Sequence, residues 1–456
     1  MIEAISTLTT ANLTRSPAWQ ASFSIDGKYL AVCFGNPDTH VKIWQCCKKQ
    51  RKSSHHDADT KPSASNGTAE EEWKLLATIR DDDAGGHTRS IRSVSFAPTS
   101  ISYDVVPILA TASFDGKVLI WEYCHDDDDD DEDDMMMQEK HHDNSSTNSN
   151  NEQSTTSSSY FEPIAQLEGH DNEIKDLAWN TTGSLLASCG RDKTIWIWEC
   201  FLPGTIGGAD SSNNMNEDDG EAFECLAVLQ GHDGDVKSIA FGPSHNQWGE
   251  GEEILVSASY DNTIKVWAEE AGDWYCAMTL GEDSVPQSMP SSSSGGGGGV
   301  VHTSTVWSVG FAPGGVRFFS GSDDGAMAIW KLYTATERKK LFPTDQVVSS
   351  TDGLWKCVGR LPDAHSSYAV FSIDCAPTRA GHGRIASAGG DNSINIYREE
   401  SSVGDGTSDA PKFSLEDVAV DAHDGDVNCI KWHPRDGRCL VSCGDDGAVK
   451  LWRYIR

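Results

Sequence analysis

A histidine, a hydroxyl residue, an aspartate and a tryptophan lie close enough along one stretch of this chain to suggest chemistry. In LEGHDNEIKDLAWNTTGSLLASCGRDKTIWIWE, residues 167–199, they are His170, Ser188, Asp192 and Trp198. A histidine oriented by a carboxylate beside a hydroxyl can activate a nucleophile. The same residue types also serve in acid–base catalysis and in metal binding.

The same residue types return along the chain at nearly constant spacing, which changes their interpretation. The aspartate always precedes an aromatic residue by six positions, and the histidine lies 22 to 29 residues before the aspartate. A catalytic site is needed once, so repetition favours a structural hydrogen-bond network at a buried turn. The first copy departs from the pattern, with Ser16 and Phe34 near the His and Ser positions. The six complete quartets are His87/Thr111/Asp115/Trp121, His170/Ser188/Asp192/Trp198, His232/Ser257/Asp261/Trp267, His302/Ser320/Asp324/Trp330, His365/Ser387/Asp391/Tyr397 and His423/Ser442/Asp446/Trp452.

Four short β-type runs accompany each copy, as in IKDLAW, SLLASC, TIWIWE and FECLAVL. Four strands in a core period of about 40–45 residues, with GH and a terminal Trp, are typical of a WD40 propeller blade. The sequence therefore predicts an all-β, seven-bladed WD40 propeller in a single domain. The seventh copy lacks a fourth strand, which EAISTLTT, residues 3–10, can supply to close the ring. The predicted repeats are 14–79, 85–168, 169–230, 231–280, 302–361, 363–421 and 423–456.

Low-complexity inserts interrupt these copies and are predicted to be disordered, because they hold too few apolar residues to order themselves. Five fall between a third and a fourth strand, on the bottom face, and one precedes a first strand on the top face. Either the top is the working surface, or bottom loops simply tolerate insertion better. The inserts are 45–72, 124–159, 201–220, 281–301, 334–353 and 399–412.

Composition excludes several classes of partner. The net charge of −34 disfavours nucleic acid and anionic membrane. No apolar run reaches the length of a membrane helix, and the start of the chain does not resemble a signal peptide. Thirteen cysteines without a CxxC pair predict a reducing cytoplasmic or nuclear compartment. Cys225, Cys276 and Cys357 occupy equivalent fourth-strand positions, where another copy has Leu75, and are predicted to pack in the sheets.

The top face carries the candidate binding residues. First-strand positions at one offset, and residues just before the quartet aspartates, should surround the central opening on that face. Cations beside aromatic side chains suit a carboxylate-bearing peptide with a bulky apolar side chain. Alternatively, some of the aromatics plug the channel. The predicted partner-binding residues are Arg191, Arg92, Lys175, Lys237, Trp19, Phe114, Tyr260, Trp307 and Phe371.

Several segments, among them LEGHDNEIKDLAW, LLASCGRDKTIWIWE, ILVSASYDNTIKVW, DWYCAMTL, STVWSVGFAPGG and HDGDVNCIKWHP, together resemble the WD40 subunit of the cytosolic iron–sulfur protein assembly (CIA) targeting complex. The resemblance implies a non-enzymatic scaffold that docks apoprotein clients for late [4Fe–4S] insertion. It implies as partners a small subunit with a reactive cysteine and a large HEAT-repeat adaptor. Some clients would bind through C-terminal acidic–aromatic tails, and the family's functional arginine maps onto Arg191. No cofactor is expected to bind stably, since clusters would be carried by partners or clients.

Other functions remain as alternatives. A substrate receptor of a ubiquitin ligase, or another peptide-binding scaffold, is the main one, although no WD dipeptide occurs in this chain. A G-protein β-like scaffold would need an N-terminal heptad helix, which MIEAISTLTTANL does not provide. An enzyme would need a unique convergent set of polar groups, and none stands outside the repeat.

Overall fold

Within the residues described by the computed structural model of the chain, 28 strands form seven four-stranded antiparallel sheets. The structure describes residues 1–8, 16–48, 71–80, 86–98, 106–125, 159–201, 222–242, 253–281, 301–343, 345, 347–348, 353–377, 383–400 and 411–455. Each sheet is one blade, and we number the blades from the first predicted repeat.

Blade 1 is β2 (Ala18–Phe23), β3 (Tyr29–Phe34), β4 (His40–Lys48) and β5 (Glu71–Arg80). Blade 2 is β6 (Ile91–Phe96), β7 (Leu109–Ser113), β8 (Lys117–His125) and β9 (Ser159–Glu168). Blade 3 is β10 (Ile174–Trp179), β11 (Leu185–Gly190), β12 (Ile195–Cys200) and β13 (Phe223–Leu229). Blade 4 is β14 (Val236–Phe241), β15 (Ile254–Ser259), β16 (Ile264–Glu270) and β17 (Asp273–Leu280). Blade 5 is β18 (Val306–Phe311), β19 (Arg317–Ser322), β20 (Met327–Tyr333) and β21 (Leu354–Leu361). Blade 6 is β22 (Val370–Cys375), β23 (Arg384–Gly389), β24 (Ile394–Glu399) and β25 (Phe413–Ala419). Blade 7 is β26 (Val427–Trp432), β27 (Cys439–Gly444), β28 (Val449–Tyr454) and β1 (Ile2–Thr7).

The first strands of the blades form the inner wall of a closed ring. Each contacts the first strand of the next blade, and β26 of blade 7 contacts β2 of blade 1. The chain's first strand, β1, is antiparallel to its last, β28, with Ile2 opposite Tyr454. The observed fourth strand of blade 7 is thus shorter than the 3–10 segment expected from sequence, and residues 9–15 lie outside the described part.

Packing between neighbouring blades supplies the core. The second strands of several blades, such as YLAVCF in β3 and ILVSAS in β15, are buried along their whole length. A strand covered on both faces needs small or apolar residues at every position, not an alternating pattern. The buried apolar side chains form clusters that span adjacent blades. One cluster contains Leu109 and Trp121 of blade 2 together with Ile43 of blade 1.

The prediction that 334–353 is disordered was wrong in part, because this insert contains a helix. Helix α1 (Ala335–Leu341) begins with a capping box, in which Thr334 and Glu337 exchange side-chain-to-backbone hydrogen bonds. Such reciprocal bonds satisfy amides that the first helical turn leaves free. Phe342, just after the helix, packs edge-on against Tyr333 of β20, and this contact ties the helix to blade 5.

Three of the other predicted inserts, 45–72, 124–159 and 399–412, are bounded by strands that extend into them. β4 continues to Lys48, β8 to His125, and β24 to Glu399. Val301, predicted as the end of an insert, is buried in the core between blades 4 and 5. Most other insert residues, 49–70, 126–158, 202–220, 282–300, 344, 346, 349–352 and 401–410, lie outside the described residues.

The fourth-strand cysteines are equivalent in register but not in burial. Cys225, Cys276 and Cys357 each lie opposite the quartet tryptophan of their blade, as Leu75 does in blade 1. Cys357 is buried and Cys276 partly buried, but Cys225 is exposed, and so is Leu75. The packing interpretation is therefore wrong for Cys225, which lies on a run of mostly exposed residues in β13.

Candidate functional site

The six quartets form hydrogen-bonded chains inside the blades. In blade 4, His232 Nδ1 lies 2.8 Å from Asp261 Oδ2, and His232 Nε2 lies 2.7 Å from Ser257 Oγ. Trp267 Nε1 donates to the same Ser257 Oγ at 2.9 Å. The carboxylate can only accept, so Nδ1 donates to it, and Nε2 then accepts the serine proton. In blade 3 the corresponding distances for His170, Ser188, Asp192 and Trp198 are 2.7, 2.9 and 3.1 Å.

These contacts occupy the groups that a catalytic histidine would need. Both ring nitrogens of His232 and the hydroxyl of Ser257 are engaged, and the side chain of His232 is fully buried. The arrangement satisfies buried polar atoms, as the repetition in the sequence suggested.

Blades 1 and 6 depart from the quartet geometry. In blade 1, Phe34 stacks on His40 with centroids 4.3 Å apart, and Ser16 Oγ accepts the Asp38 N–H at 2.9 Å. In blade 6, Tyr397 donates its hydroxyl to the Ala364 carbonyl at 2.9 Å. The tyrosine hydroxyl lies at the end of the ring, so it reaches past the serine that a tryptophan N–H meets in the other quartets.

The quartet aspartates are held in their charged form. Burial alone would raise the pKa of Asp324, but hydrogen bonds from His302, the His302 charge and two backbone amides lower the pKa to about 2. Burial would likewise raise the pKa of Asp391, but hydrogen bonds from His365 and Ser393 and the His365 charge lower this pKa to about 2. Asp261 and Asp446 shift in the same direction for the same reasons.

The central opening contains a cavity of about 330 Å³. Six of the nine predicted partner-binding residues line it, together with Asn428 at the equivalent position of blade 7. They are Trp19, Arg92, Lys175, Lys237, Trp307 and Phe371. Arg191, Phe114 and Tyr260 do not line the cavity but lie beside it, on the turns between second and third strands. We call these nine residues the upper rim.

One carboxylate organises the cations of the upper rim in blade 3. Glu173 lies 2.8 Å from Lys175 Nζ, 2.9 Å from an Nη atom of Arg89 and 3.6 Å from one of Arg191. Burial would raise the pKa of Glu173, but Lys175 and Arg89 lower it overall. Three cations around one carboxylate leave a net positive sector, in which the Arg191 side chain is 55% exposed.

Aromatic rings lie directly against these cations. Lys175 Nζ is 4.1 Å from the centroid of the Phe114 ring, and the Arg92 guanidinium is 4.8 Å from that of Trp19. Lys237 Nζ, bonded to Asp235 at 3.0 Å, is 5.0 Å from the Trp307 ring. Within the described residues, no carboxylate lies within salt-bridge distance of Arg92.

The opposite sector of the top face is acidic. Asp426 and Asp445 of blade 7 lie close together, and Asn428 donates to Asp445 Oδ1 at 2.9 Å. Burial and then the Asp445 charge raise the pKa of Asp426. The top face is therefore positively charged across blades 2 to 4 and negatively charged at blade 7.

Sequence reasoning missed the acids that pair with the predicted lysines. Glu173 precedes Lys175 by two positions, and Asp235 precedes Lys237 by the same interval. Aligning that offset would have revealed both pairs, and also that Arg92 has Ser90 there instead of an acid.

A family model matches five segments of the chain. The WD domain, G-beta repeat model covers residues 73–122, 161–199, 223–268, 300–331 and 416–453. Four of these segments begin with the fourth strand of one blade and end with the third strand of the next. Each such repeat therefore links two neighbouring blades.

Curated relatives match along most of the chain. A probable cytosolic iron-sulfur protein assembly protein 1 of Chaetomium globosum is 35% identical over 437 residues, covering 83% of this chain and 86% of the relative. The proteins of the same name in Debaryomyces hansenii and Meyerozyma guilliermondii are 34% and 32% identical. Those two alignments cover 85% and 93% of this chain, and 90% and 100% of the relatives.

Proposed function

This chain belongs to the WD40 family of cytosolic iron-sulfur protein assembly protein 1, and from that membership we propose that it is a non-catalytic scaffold of the cytosolic iron–sulfur assembly machinery. In this role it docks apoprotein clients for late-stage [4Fe–4S] insertion. The observation that carries the non-catalytic part is the use of both ring nitrogens of His170 and His232 within their blades.

We propose the upper rim as the surface that meets clients. An acidic side chain or terminal carboxylate of a client tail would join the cations around Glu173, where Arg191 is exposed to approach. Charge-assisted hydrogen bonds from arginine to carboxylate are among the stronger polar contacts. An aromatic tail residue would pack against the rings beside Lys175 and Lys237.

The partners follow from the same proposal. They are a small subunit with a reactive cysteine, a large HEAT-repeat adaptor and apo iron–sulfur clients, met in the cytoplasm and also in the nucleus. The cluster is cargo held by partners or clients, and this chain holds no stable cofactor. Support comes from the cysteines: Cys189, Cys200, Cys357 and Cys443 are buried in the blades, and burial raises the pKa of Cys357 to about 11, which disfavours the thiolate that binds metal.

Affinity purification of the full chain with identification by mass spectrometry tests this proposal. We expect the reactive-cysteine subunit and the HEAT-repeat adaptor to co-purify in near-equal amounts. Recovery of a ubiquitin-ligase adaptor in their place would replace the proposal by the ligase-receptor alternative. A matched purification with Arg191→Glu should keep both subunits and lose clients.

A further inference from the structure

Hydrogen bonds of one type join neighbouring blades around the channel at six of the seven junctions within the described residues, all except that between blades 4 and 5. In each case the acceptor is a side-chain atom of the third residue in the first strand of one blade. The donor is the backbone N–H of the fourth residue in the first strand of the following blade. The six described bonds run from Val94 N to Gln20 Oε1 (2.8 Å), Leu177 N to Ser93 Oγ (3.0 Å), Ile239 N to Asp176 Oδ2 (3.1 Å), Ile373 N to Ser308 Oγ (3.1 Å), Ile430 N to Ser372 Oγ (3.2 Å) and Ala21 N to Cys429 Sγ (3.5 Å). Five of these acceptors are oxygen, and the sixth, which closes blade 7 onto blade 1, is sulfur.

The closing sulfur faces a second thiol across the strand pair. Cys429 of β26 lies directly opposite Cys443 of β27. Directly opposite residues of antiparallel strands have Cα atoms about 4.5–5.5 Å apart, within the roughly 4.4–6.8 Å that disulfides span. Both side chains belong to the same buried cluster between blades 7 and 1. In blades 1 and 3 the equivalent pairs hold one cysteine each, Gln20 with Cys33 and Asp176 with Cys189.

The surroundings of the pair distinguish its two thiols. Cys429 lines the central cavity and is only 2% exposed, so a small solute would have to reach its sulfur from that cavity. The Cys443 thiol donates to Cys429 and lowers the pKa of Cys429 against the effect of burial, with help from the Lys431 charge. Burial raises the pKa of Cys443. One sulfur is thus prepared to attack and the other to resolve, as in peroxide-sensing cysteine pairs.

We propose that Cys429 and Cys443 form a peroxide-oxidisable dithiol whose disulfide weakens the closing hydrogen bond of the ring. The Cys429 thiolate attacks one oxygen of hydrogen peroxide, the O–O bond breaks, and hydroxide leaves as water after protonation, giving a sulfenic acid. The Cys443 sulfur then attacks the Cys429 sulfur and loses its proton. The S–S bond forms, the S–O bond breaks, and a second water leaves. Two thiols are oxidised and one peroxide is reduced to two waters.

The consequence falls on the seam between blades 7 and 1. A disulfide sulfur carries no charge and accepts a hydrogen bond more weakly than a thiolate does. The Ala21 amide therefore loses most of its acceptor, while the other five bonds of the ring keep their oxygens. Oxidation loosens one joint of the ring and leaves the remaining blade contacts in place.

Treatment of the full chain with a small excess of hydrogen peroxide tests the proposal. Peptide mapping should find a Cys429–Cys443 disulfide, and hydrogen exchange of the segment 18–23 should become several-fold faster at the Ala21 amide. Cys429→Ser, which installs the residue type found at this position in blades 2, 4, 5 and 6, should abolish both changes. Cys443→Ala should stop the disulfide and, because it also removes the hydrogen bond that lowers the pKa of Cys429, should let Cys429 oxidise only slowly, to a sulfenic or sulfinic acid. This second variant keeps the test valid if one variant folds poorly.

Cys189→Ala is the matched control, because Cys189 holds the same strand position as Cys443 in blade 3 but faces Asp176. It should oxidise and exchange like the unmodified chain. A Cys33–Cys429 disulfide, an absence of any disulfide at full peroxide consumption, or unchanged exchange at Ala21 in the oxidised chain would each overturn the inference.

Discussion

The quartets and the upper rim use similar polar side chains for different purposes, the quartets for stability and the upper rim for binding. The quartets repeat with nearly the same distances in blade after blade, and their polar atoms are buried and paired within the blade. The top face, which carries the upper rim, differs from blade to blade. Three cations surround Glu173 in blade 3, while two acids lie close together in blade 7. Repetition stabilises the scaffold, and departure from repetition creates a surface that can tell one partner from another. Changes in the quartets should therefore alter stability, and changes in the rim should alter binding.

The largest effect is expected from Ser257→Ala in the blade 4 quartet. It leaves His232 Nε2 and Trp267 Nε1 buried without their shared partner, which should lower the free energy of unfolding by about 1–3 kcal/mol. Thermal and urea unfolding followed by circular dichroism measure the loss. Ser304→Ala is the control, since this serine lies outside the quartets and donates one bond to exposed Asp323, and the variant should lose less than about 0.5 kcal/mol of stability. Equal losses in the two variants would contradict the division between quartet and rim.

Acid should act on the quartets next. The pKa values of Asp324 and Asp391 are about 2 in the folded chain, below the ordinary 3.8, so the unfolded chain binds more protons as the pH falls. Their contribution to stability is complete above about pH 5 and is lost progressively as the pH falls towards 2. Urea midpoints at pH 5, 4 and 3 should decrease progressively, and Asp391→Asn should show a lower midpoint at pH 5 but a smaller decrease. An identical slope in this variant would remove Asp391 from the explanation.

A charge reversal on the rim should affect binding and spare stability. Arg191→Glu places an acid beside Glu173. It should lower the affinity for a peptide ending in Asp-Trp by about tenfold or more, as loss of a carboxylate-pairing arginine does. Fluorescence anisotropy of the labelled peptide measures the affinity, and the melting temperature should change little. Lys340→Glu, an equal charge change on exposed helix α1 at the bottom face, is the control and should bind normally. Equal weakening by both variants would indicate a general charge effect in place of a defined site.

The smallest effect is expected from the acidic sector. Asp445→Asn removes one negative charge while its amide oxygen can still accept from Asn428. Tail affinity should rise about twofold at low salt, because exposed charges act weakly and are screened. The gain should vanish at high salt; a gain that persists there would point to a direct contact with the tail.

The blade count and the quartets could be predicted because they repeat. Six copies of the same residue spacing identify structural positions even where single residues such as Tyr397 differ. Tyr397 also shows the limit, since its hydroxyl bonds to Ala364 and not to Ser387, a difference of side-chain length that spacing does not reveal.

Features that occur once were harder to predict. The signal for helix α1 was present, as Thr334 and Glu337 have capping-box spacing, but the whole segment 334–353 was grouped with the low-complexity inserts. The pairing of Lys175 with Glu173 depends on loop geometry, and the exposure of Cys225 depends on what covers its blade, since Cys357 is buried at the equivalent position. The partner-binding role of the rim stays a prediction.

The pairing of the chain's first strand with its last also governs how the molecule responds to force. In β1 and β28 the Met1 ammonium reaches the Ile455 carbonyl at 2.7 Å, and Ile2 lies opposite Tyr454, so both ends emerge at the same corner of blade 7. A pull applied to the two ends would load the rungs between these strands one after another, like a zipper. Because each rung breaks separately, the ring would open from that corner.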